Sequence, residues 1–148
     1  MAEVILKEVT KDFGKSTVIN DVSIRINERD FCVIVGPSGC GKSTLLRIIA
    51  GLETPTSGSI IINSKDVTTV DPANRGIGMV FQNYALYPHM TVEENMSFGL
   101  RMNNAPKTKI NKKVGEAAKI LQLTELMKRK PASLSGGQRQ RVAIGRAI

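Results

Sequence analysis

The pattern of apolar and polar positions changes character near the middle of the chain. In the first half, residues 18–26 include alternating apolar and polar side chains, as expected for a strand with one buried face. Residues 3–9 are rich in β-forming side chains, and residues 59–63 form a further short apolar run. Residues 31–35 and 76–81 are apolar without polar alternation, which predicts strands buried on both faces. We therefore predict an antiparallel β layer beside a core of buried strands.

The second half of the chain has the pattern of helices. Thr91 and Glu94 have the spacing of a capping box, which predicts a helix from there to residue 102. Apolar residues at helical spacing predict a second, amphipathic helix over residues 110–121. Ser135 and Gln138 repeat the capping-box spacing, so a third helix is predicted to run on to residue 148.

A glycine-rich stretch lies between a predicted strand and a predicted helix. It follows the apolar run 31–35 and leads into helix-forming residues that end on Gly51, a suitable C-terminal cap. Its residues are Gly36, Pro37, Ser38, Gly39, Cys40, Gly41, Lys42, Ser43 and Thr44. A glycine loop in this context is typical of a P-loop, which cradles the phosphates of a nucleotide.

The residue types of this loop match that chemistry. Glycines at 36, 39 and 41 let backbone N–H groups turn toward phosphate oxygens, where a Cβ would obstruct them. Lys42 offers an ammonium to the β- and γ-phosphates, and the Ser43 hydroxyl is a ligand for Mg²⁺. Thr44 adds a hydroxyl near the α-phosphate. We predict that the loop binds a nucleoside triphosphate.

Three further positions have both a possible ligand-binding role and a purely structural interpretation. Phe13, in the connection between the first two strands, either stacks on a nucleotide base or anchors its loop on the core. Gln82 ends the predicted strand 76–81, where α/β folds place ligand contacts, or it faces water. The helix tip with two glycines in its first turn is either an anion site or a plain cap. That tip comprises Ser135, Gly136, Gly137 and Gln138.

Composition narrows the class of protein. With 41% hydrophobic and 23% charged residues, the chain is an ordinary globular one. No apolar run approaches the roughly 18 residues that a membrane-spanning helix needs, and the N-terminus has no signal architecture, so we expect a cytosolic protein. Cys32 and Cys40 are interpreted as small structural residues. His89 is the single histidine, which argues against a histidine metal site.

The formal net charge of +8 raises the question of a polyanionic partner. A cluster of lysines contributes to it, and a solvated face is the preferred interpretation because no aromatic residues are interleaved. Those lysines are Lys107, Lys109, Lys112 and Lys113. Nucleic acid is therefore not expected as a partner.

With these motifs in view, the chain resembles the ATP-binding subunit of ABC transporters, over nearly all of its length. Residues 36–44 look like Walker A, Gln82 like the Q-loop and residues 134–138 like the signature motif. Phe13 matches the aromatic A-loop position, where tyrosine or tryptophan is commoner. The sequence of residues 79–90 and 136–146 resembles that of the ATP-binding subunits of importers for sugars and sn-glycerol 3-phosphate.

The resemblance implies an α/β fold, namely a partial P-loop NTPase of the ABC type with an N-terminal antiparallel β layer and a helical subdomain. Residues 1–82 would form the nucleotide-binding half of the core together with the β layer. Residues 83–148 would form the helical subdomain with the signature motif. The chain would be truncated before Walker B, because no apolar run after the signature ends in an acidic pair. By itself it is therefore expected to be marginally stable and to hydrolyse ATP negligibly.

The resemblance also implies roles and partners. Two subunits, as a homodimer, would enclose ATP and Mg²⁺ between Walker A of one and Ser135, Gly136 and Gly137 of the other. Lys42 and Gln82 would act in catalysis, with Ser43 and Gln82 on the metal. Membrane permease subunits would dock on the helical subdomain at the cytoplasmic face of the inner membrane, and a solute-binding protein would take part indirectly. Two alternatives remain: a non-transport ABC ATPase acting on nucleic acid or ribosomes, and a fragment that binds nucleotide without hydrolysis.

Overall fold

The computed structural model describes residues 2–147. The chain divides into two compact units, Met1–Ile77 and Gly78–Ile148. The division falls five residues before the predicted boundary at residue 82.

A four-stranded antiparallel sheet forms the first unit's β layer, in the order β2-β1-β3-β4. The strands are β1 (Val4–Phe13), β2 (Ser16–Ile26), β3 (Ser57–Ile62) and β4 (Lys65–Asp66). Val4 pairs with Ile26 of β2 on one side and with Ile62 of β3 on the other, so β1 lies between β2 and β3. The predicted antiparallel layer is confirmed, and the alternation in residues 18–26 correctly located β2.

The core of the first unit joins this sheet to one helix, α1 (Lys42–Ala50). Leu6, Val9 and Ile60 of the sheet and Leu45 and Ile48 of α1 are all buried in a single cluster. The helix ends as predicted on Gly51, which has φ +79° and donates its N–H to the carbonyls at the end of the helix.

The two runs predicted as doubly buried strands are not strands. Residues 31–35 and 76–81 have no strand pairing, and Phe31 and Val35 are 93% and 83% exposed. Only Ile34 and Ile77 of these runs pack against the first unit's core. An apolar run becomes a strand only when a neighbour pairs with its backbone. Within residues 2–147 the sheet contains just the four strands named above, and none of them pairs with either run.

Among the described residues, the second unit contains three α-helices: α2 (Val92–Met102), α3 (Lys107–Ile120) and α4 (Gly136–Ala147). Their shared core includes Val92 and Met96 of α2, Val114 of α3, Val142 of α4 and Leu123 of a connecting segment. All three helices were predicted. The start of α2 lies where its local signal places it, since Thr91 and Glu94 form both bonds of the capping box. By contrast, α3 begins at Lys107, three residues before the predicted start, and has no side-chain cap.

Charge is distributed very unevenly between the two units. Residues 1–77 contain nine Lys and Arg against nine Asp and Glu, whereas residues 78–148 contain twelve against four. The whole formal excess of eight positive charges therefore belongs to the helical unit. The four lysines singled out in the sequence are all exposed on α3, as a solvated face requires. Among the described helices, none combines the length and apolar character needed to cross a bilayer.

Candidate functional site

The glycine loop of the first unit has a backbone that only glycine adopts easily. Gly39 and Gly41 have φ values of +82° and +92°, in the region where a side chain is strained. Gly41 is buried, and a Cβ there would lie 2.7 Å from Cδ1 of Ile19 and 2.8 Å from the carbonyl oxygen of Val18. Packing against β2 therefore fixes the path of the loop into α1.

Lys42 holds its ammonium at the loop. Its Nζ donates hydrogen bonds to the carbonyl oxygens of Gly36, at 2.9 Å, and Pro37, at 2.6 Å. The Sγ of Cys40 lies 3.6 Å from the same nitrogen. The positive charge is thus kept beside the backbone of the loop.

The start of α1 adds to the positive potential of this site. No acidic residue lies in the first turn of the helix, so the positive end of its dipole is not offset by a local carboxylate. Ser43 is exposed and Thr44 is half-buried in that turn. Bare amides, an ammonium and hydroxyl groups together suit a triphosphate, and the exposed Ser43 oxygen suits a hard cation such as Mg²⁺.

Phe13 lies at the end of β1, rather than in the connecting loop where it was predicted, and its side chain is 48% exposed. The Lys11 ammonium forms a cation–π contact with this ring, with Nζ 4.8 Å from the ring centre. An aromatic ring that remains this exposed at the edge of the unit is free to stack on a planar ligand.

Gln82 belongs to the second unit, where it is exposed in a turn and not at the end of a strand. The turn is closed by the Tyr84 N–H, which donates to the carbonyl oxygen of Phe81 at 2.9 Å. Tyr84 and Ala85 follow with φ values of +63° and +47°, so the chain reverses its direction sharply after Gln82. The strand prediction was wrong here, while the exposure of Gln82 leaves its amide able to bind a ligand.

The second sequence motif forms the tip of α4. The Ser135 N–H donates to Oε1 of Gln138 at 2.8 Å, and the Gln138 N–H donates to the Ser135 hydroxyl at 3.3 Å. This reciprocal pair is the predicted capping box. A Cβ added at Gly136 or Gly137 would meet nothing within 4 Å. The packing of the described residues therefore gives no reason for glycine at these two positions, which leaves the backbone of the helix tip bare.

Two buried polar residues that support these motifs were missed by sequence reasoning. Arg75 is only 6% exposed, and its guanidinium donates to four backbone carbonyls, among them those of Ile48 and Ile49 at the end of α1, both at 3.0 Å. Asn95 is fully buried in α2, where Oδ1 accepts from the Tyr87 N–H and Nδ2 donates to three carbonyls. A polar residue on the apolar face of a helix could have indicated Asn95. No comparable signal exists for Arg75, which stands in a loop.

The chain is similar in sequence to known proteins along its whole length. Residues 19–148 match the family model described as ABC transporter. The whole chain is 59% identical to the maltose/maltodextrin import ATP-binding protein MalK of Escherichia coli (strain K12), covering 40% of that protein. It is 58% identical to the sn-glycerol-3-phosphate import ATP-binding protein UgpC of Ruegeria sp. (strain TM1040), covering 42% of it. The chain thus spans well under half the length of these relatives.

Solved structures agree with the sequence matches. The dimeric bacterial ABC transporter cassette MJ0796 superposes with a TM-score of 0.86 and 36% identity, covering 98% of this chain and 68% of that one. The same cassette bound to ADP and Pi gives a TM-score of 0.85. The ATP-binding cassette MJ1267 gives 0.88 at 33% identity, covering 99% of this chain and 64% of the other. The resemblance and the fold class implied by the motifs are confirmed. The chain belongs to the ABC transporter family, which its glycine loop and its serine–glycine helix tip had already indicated.

Proposed function

We propose that this chain is part of the ATP-binding subunit of an importer for sugars or glycerol 3-phosphate, in which ATP hydrolysis drives solute uptake. The observation that carries the proposal is the geometry of the glycine loop. Gly41 is sterically required against β2, and Lys42 is held on the carbonyls of Gly36 and Pro37. The names of the relatives, which are import ATP-binding proteins for maltose and sn-glycerol 3-phosphate, support the direction and class of transport.

The first half of the ATP site is supplied by residues 36–44 with Phe13. Loop amides and the Lys42 ammonium bind the phosphates, and Phe13 stacks on the base. Mg²⁺ would be held by the Ser43 hydroxyl and the Gln82 amide oxygen, and when bound it offsets the charge of the β- and γ-phosphates. Gln82 would also orient the attacking water.

The second half of the site would come from another copy of the chain. Ser135 and the bare amides of Gly136 and Gly137 form a helix tip suited to an anion, and the glycines have no internal packing role. In a dimer this tip would close over the phosphates held by Walker A of the partner. That one structural neighbour is described as a dimeric cassette supports this arrangement.

The transport role would require further partners. Permease subunits in the membrane would receive the helical unit at the cytoplasmic face, around residues 83–90 and α2, and a solute-binding protein would deliver the solute to them. Hydrolysis also needs a metal-binding aspartate and a residue that polarises the water, and the family resemblance places both after the signature helix. Every aspartate of this chain lies at or before Asp71. We therefore expect these 148 residues to bind ATP and to release phosphate negligibly.

Equilibrium dialysis with radiolabelled ATP and Mg²⁺, beside a phosphate-release assay, tests the proposal. Lys42→Ala should weaken ATP binding about 10- to 100-fold, because a charged hydrogen-bond donor to phosphate is lost. Lys65→Ala, on the exposed strand β4, is the matched control and should leave binding unchanged. Equal affinity of the two variants would contradict the proposal. Steady phosphate release that Lys42→Ala abolishes would contradict the expected inactivity.

A further inference from the structure

We propose that Lys11 is a positioning residue for the nucleotide base, because it holds the ring of Phe13 in place from one side and leaves the other side to stack. The inference rests on the proposed function, in which Phe13 contacts the base of ATP. Lys11 itself is not expected to touch the nucleotide.

Three contacts fix the Lys11 ammonium. It forms an ion pair with Glu53 at 2.7 Å and donates to the Thr54 carbonyl oxygen at 2.7 Å. It also lies over the Phe13 ring, 4.8 Å from the ring centre, within the range of a cation–π contact. The Lys11 side chain is only 13% exposed, whereas a lysine on a strand surface is ordinarily solvated.

The position of these partners explains what the contacts achieve. Glu53 and Thr54 follow the end of α1, the helix that begins in the phosphate loop. Lys11 therefore joins the end of β1, where Phe13 lies, to the segment that leaves α1. Phe13 is 48% exposed, so packing covers only about half of this residue's surface.

A ring fixed in advance binds a planar ligand more tightly than a mobile one, because less conformational entropy is lost on stacking. With the ammonium on one face of Phe13, the opposite face is the one left for the base. Lys11 would therefore contribute to affinity for nucleotides and would contribute nothing to affinity for the phosphates alone.

The test compares two probes that share phosphates and differ in the base: ATP and inorganic tripolyphosphate, the second measured by displacement of labelled ATP. Lys11→Met keeps a long apolar side chain and removes the charge. It should weaken ATP binding about three- to tenfold, the range of one cation–π contact, and change tripolyphosphate binding by less than about twofold. Lys15→Met, an exposed lysine two residues after Phe13, is the charge-matched control and should change neither. Parallel loss of both probes in Lys11→Met would show a merely structural role and overturn the inference.

Two further variants connect the effect to the ring. In a chain that already carries Phe13→Ala, Lys11→Met should cause no additional loss of ATP affinity. Lys11→Arg, which keeps a cation for the ring and for Glu53, should restore most of the affinity. Additive losses from Lys11→Met and Phe13→Ala would contradict the inference. By contrast, failure of the proposed function would appear as binding that Lys42→Ala does not alter.

An independent measurement needs no nucleotide. The chain has no tryptophan, so a Phe13→Trp variant carries a single indole reporter at this position. Adding Lys11→Met should lower the fluorescence anisotropy of that indole because its motion increases, whereas adding Lys15→Met should not. Unchanged anisotropy after Lys11→Met would show that the lysine does not hold the ring, and would overturn the inference whether or not ATP binds.

Discussion

The guanidinium of Arg146 lies over the ring of Tyr87, 4.9 Å from its centre, and also donates a hydrogen bond to the carbonyl oxygen of Ala85. Arg146 is in the last turn of α4, and the first turn of that helix is the serine–glycine tip. Ala85 belongs to the bend that follows Gln82, and Tyr87 comes two residues after Ala85. One helix of the second unit thus carries a proposed ATP contact at one end and contacts the segment after Gln82 at the other.

We expect Arg146→Met to loosen that segment. The loss of a cation–π contact and of a charged hydrogen bond should lower the free energy of unfolding of the helical unit by about 1–2 kcal/mol. Amide exchange at residues 84–87 should accelerate. A double-mutant cycle with Tyr87→Leu should give a coupling free energy of about 0.5–1 kcal/mol. Arg139→Met, on the same helix, is the control; an equal effect from it would refute a specific role for Arg146.

Two positions of the glycine loop have a similar backbone conformation but differ in the room available for a side chain. Gly39 and Gly41 both have positive φ, but only Gly41 has no room for a Cβ. Gly39→Ala should destabilise the chain by about 1 kcal/mol through backbone strain alone. Gly41→Ala should cost at least about 2 kcal/mol more and abolish ATP binding, because α1 must move away from Val18 and Ile19. Urea unfolding and ATP dialysis check both variants, and equal effects would mean that β2 does not fix the loop.

Arg75 should be one of the most sensitive positions for stability. Burial lowers the pKa of its guanidinium, yet the group stays charged at every ordinary pH. Hydrogen bonds to four backbone carbonyls offset the cost of burying this charge. Arg75→Met leaves those carbonyls without their donor and should destabilise the first unit by about 2–4 kcal/mol. Arg25→Met, which removes an exposed ion pair with Glu3, should cost less than about 1 kcal/mol. Denaturant unfolding of the two variants separates these expectations, and equal losses would contradict the role given to Arg75.

Acid should weaken α2 through its capping box. The Glu94 carboxylate accepts hydrogen bonds from the backbone N–H and from the hydroxyl of Thr91. These two bonds, of which the backbone bond has the larger effect, hold the pKa of Glu94 below its ordinary value of 4.5. Because the folded pKa is the lower one, this stabilisation is complete above pH 4.5 and is lost as the pH falls through the depressed folded value.

The pH dependence can be isolated by substitution. Glu94→Gln keeps a side chain of the same length without the titration, so its stability should fall less between about pH 5 and about pH 3 than that of the natural chain. Glu93→Gln removes a carboxylate of the same first turn that is not part of the capping box, and it serves as the control. Identical acid profiles for the natural chain and Glu94→Gln would rule out this contribution.

Helix ends were predictable from sequence because their causes are local. Gly51, the pair Thr91 and Glu94, and the pair Ser135 and Gln138 each cap a helix through bonds to residues at most four positions away. The same reasoning failed for residues 31–35, because burial on both faces depends on strands that pair from elsewhere in a chain. The hydropathy of a segment does not show whether such partner strands are present.

The supporting contacts of the site were beyond the sequence for a related reason. Arg75 contacts the carbonyl oxygens of residues 48 and 49, which lie 27 and 26 positions earlier in the chain. Lys11 contacts Glu53, 42 positions later. Such partners are set by how the sheet and α1 pack, and no spacing rule encodes them. Motifs therefore predicted the groups that we propose to face a ligand, whereas the residues that contact those groups became visible only in three dimensions.

The uneven distribution of charge has a consequence for how the chain responds to its solvent. Twelve cations against four anions in residues 78–148 repel one another, and mobile counter-ions shield that repulsion with a Debye length of about 8 Å near 0.15 M ionic strength. Dilute buffer should therefore strain the helical unit, whereas the electrically balanced residues 1–77 should be nearly indifferent to it. Melting followed across a salt series would then shift for one half of the molecule and stay constant for the other.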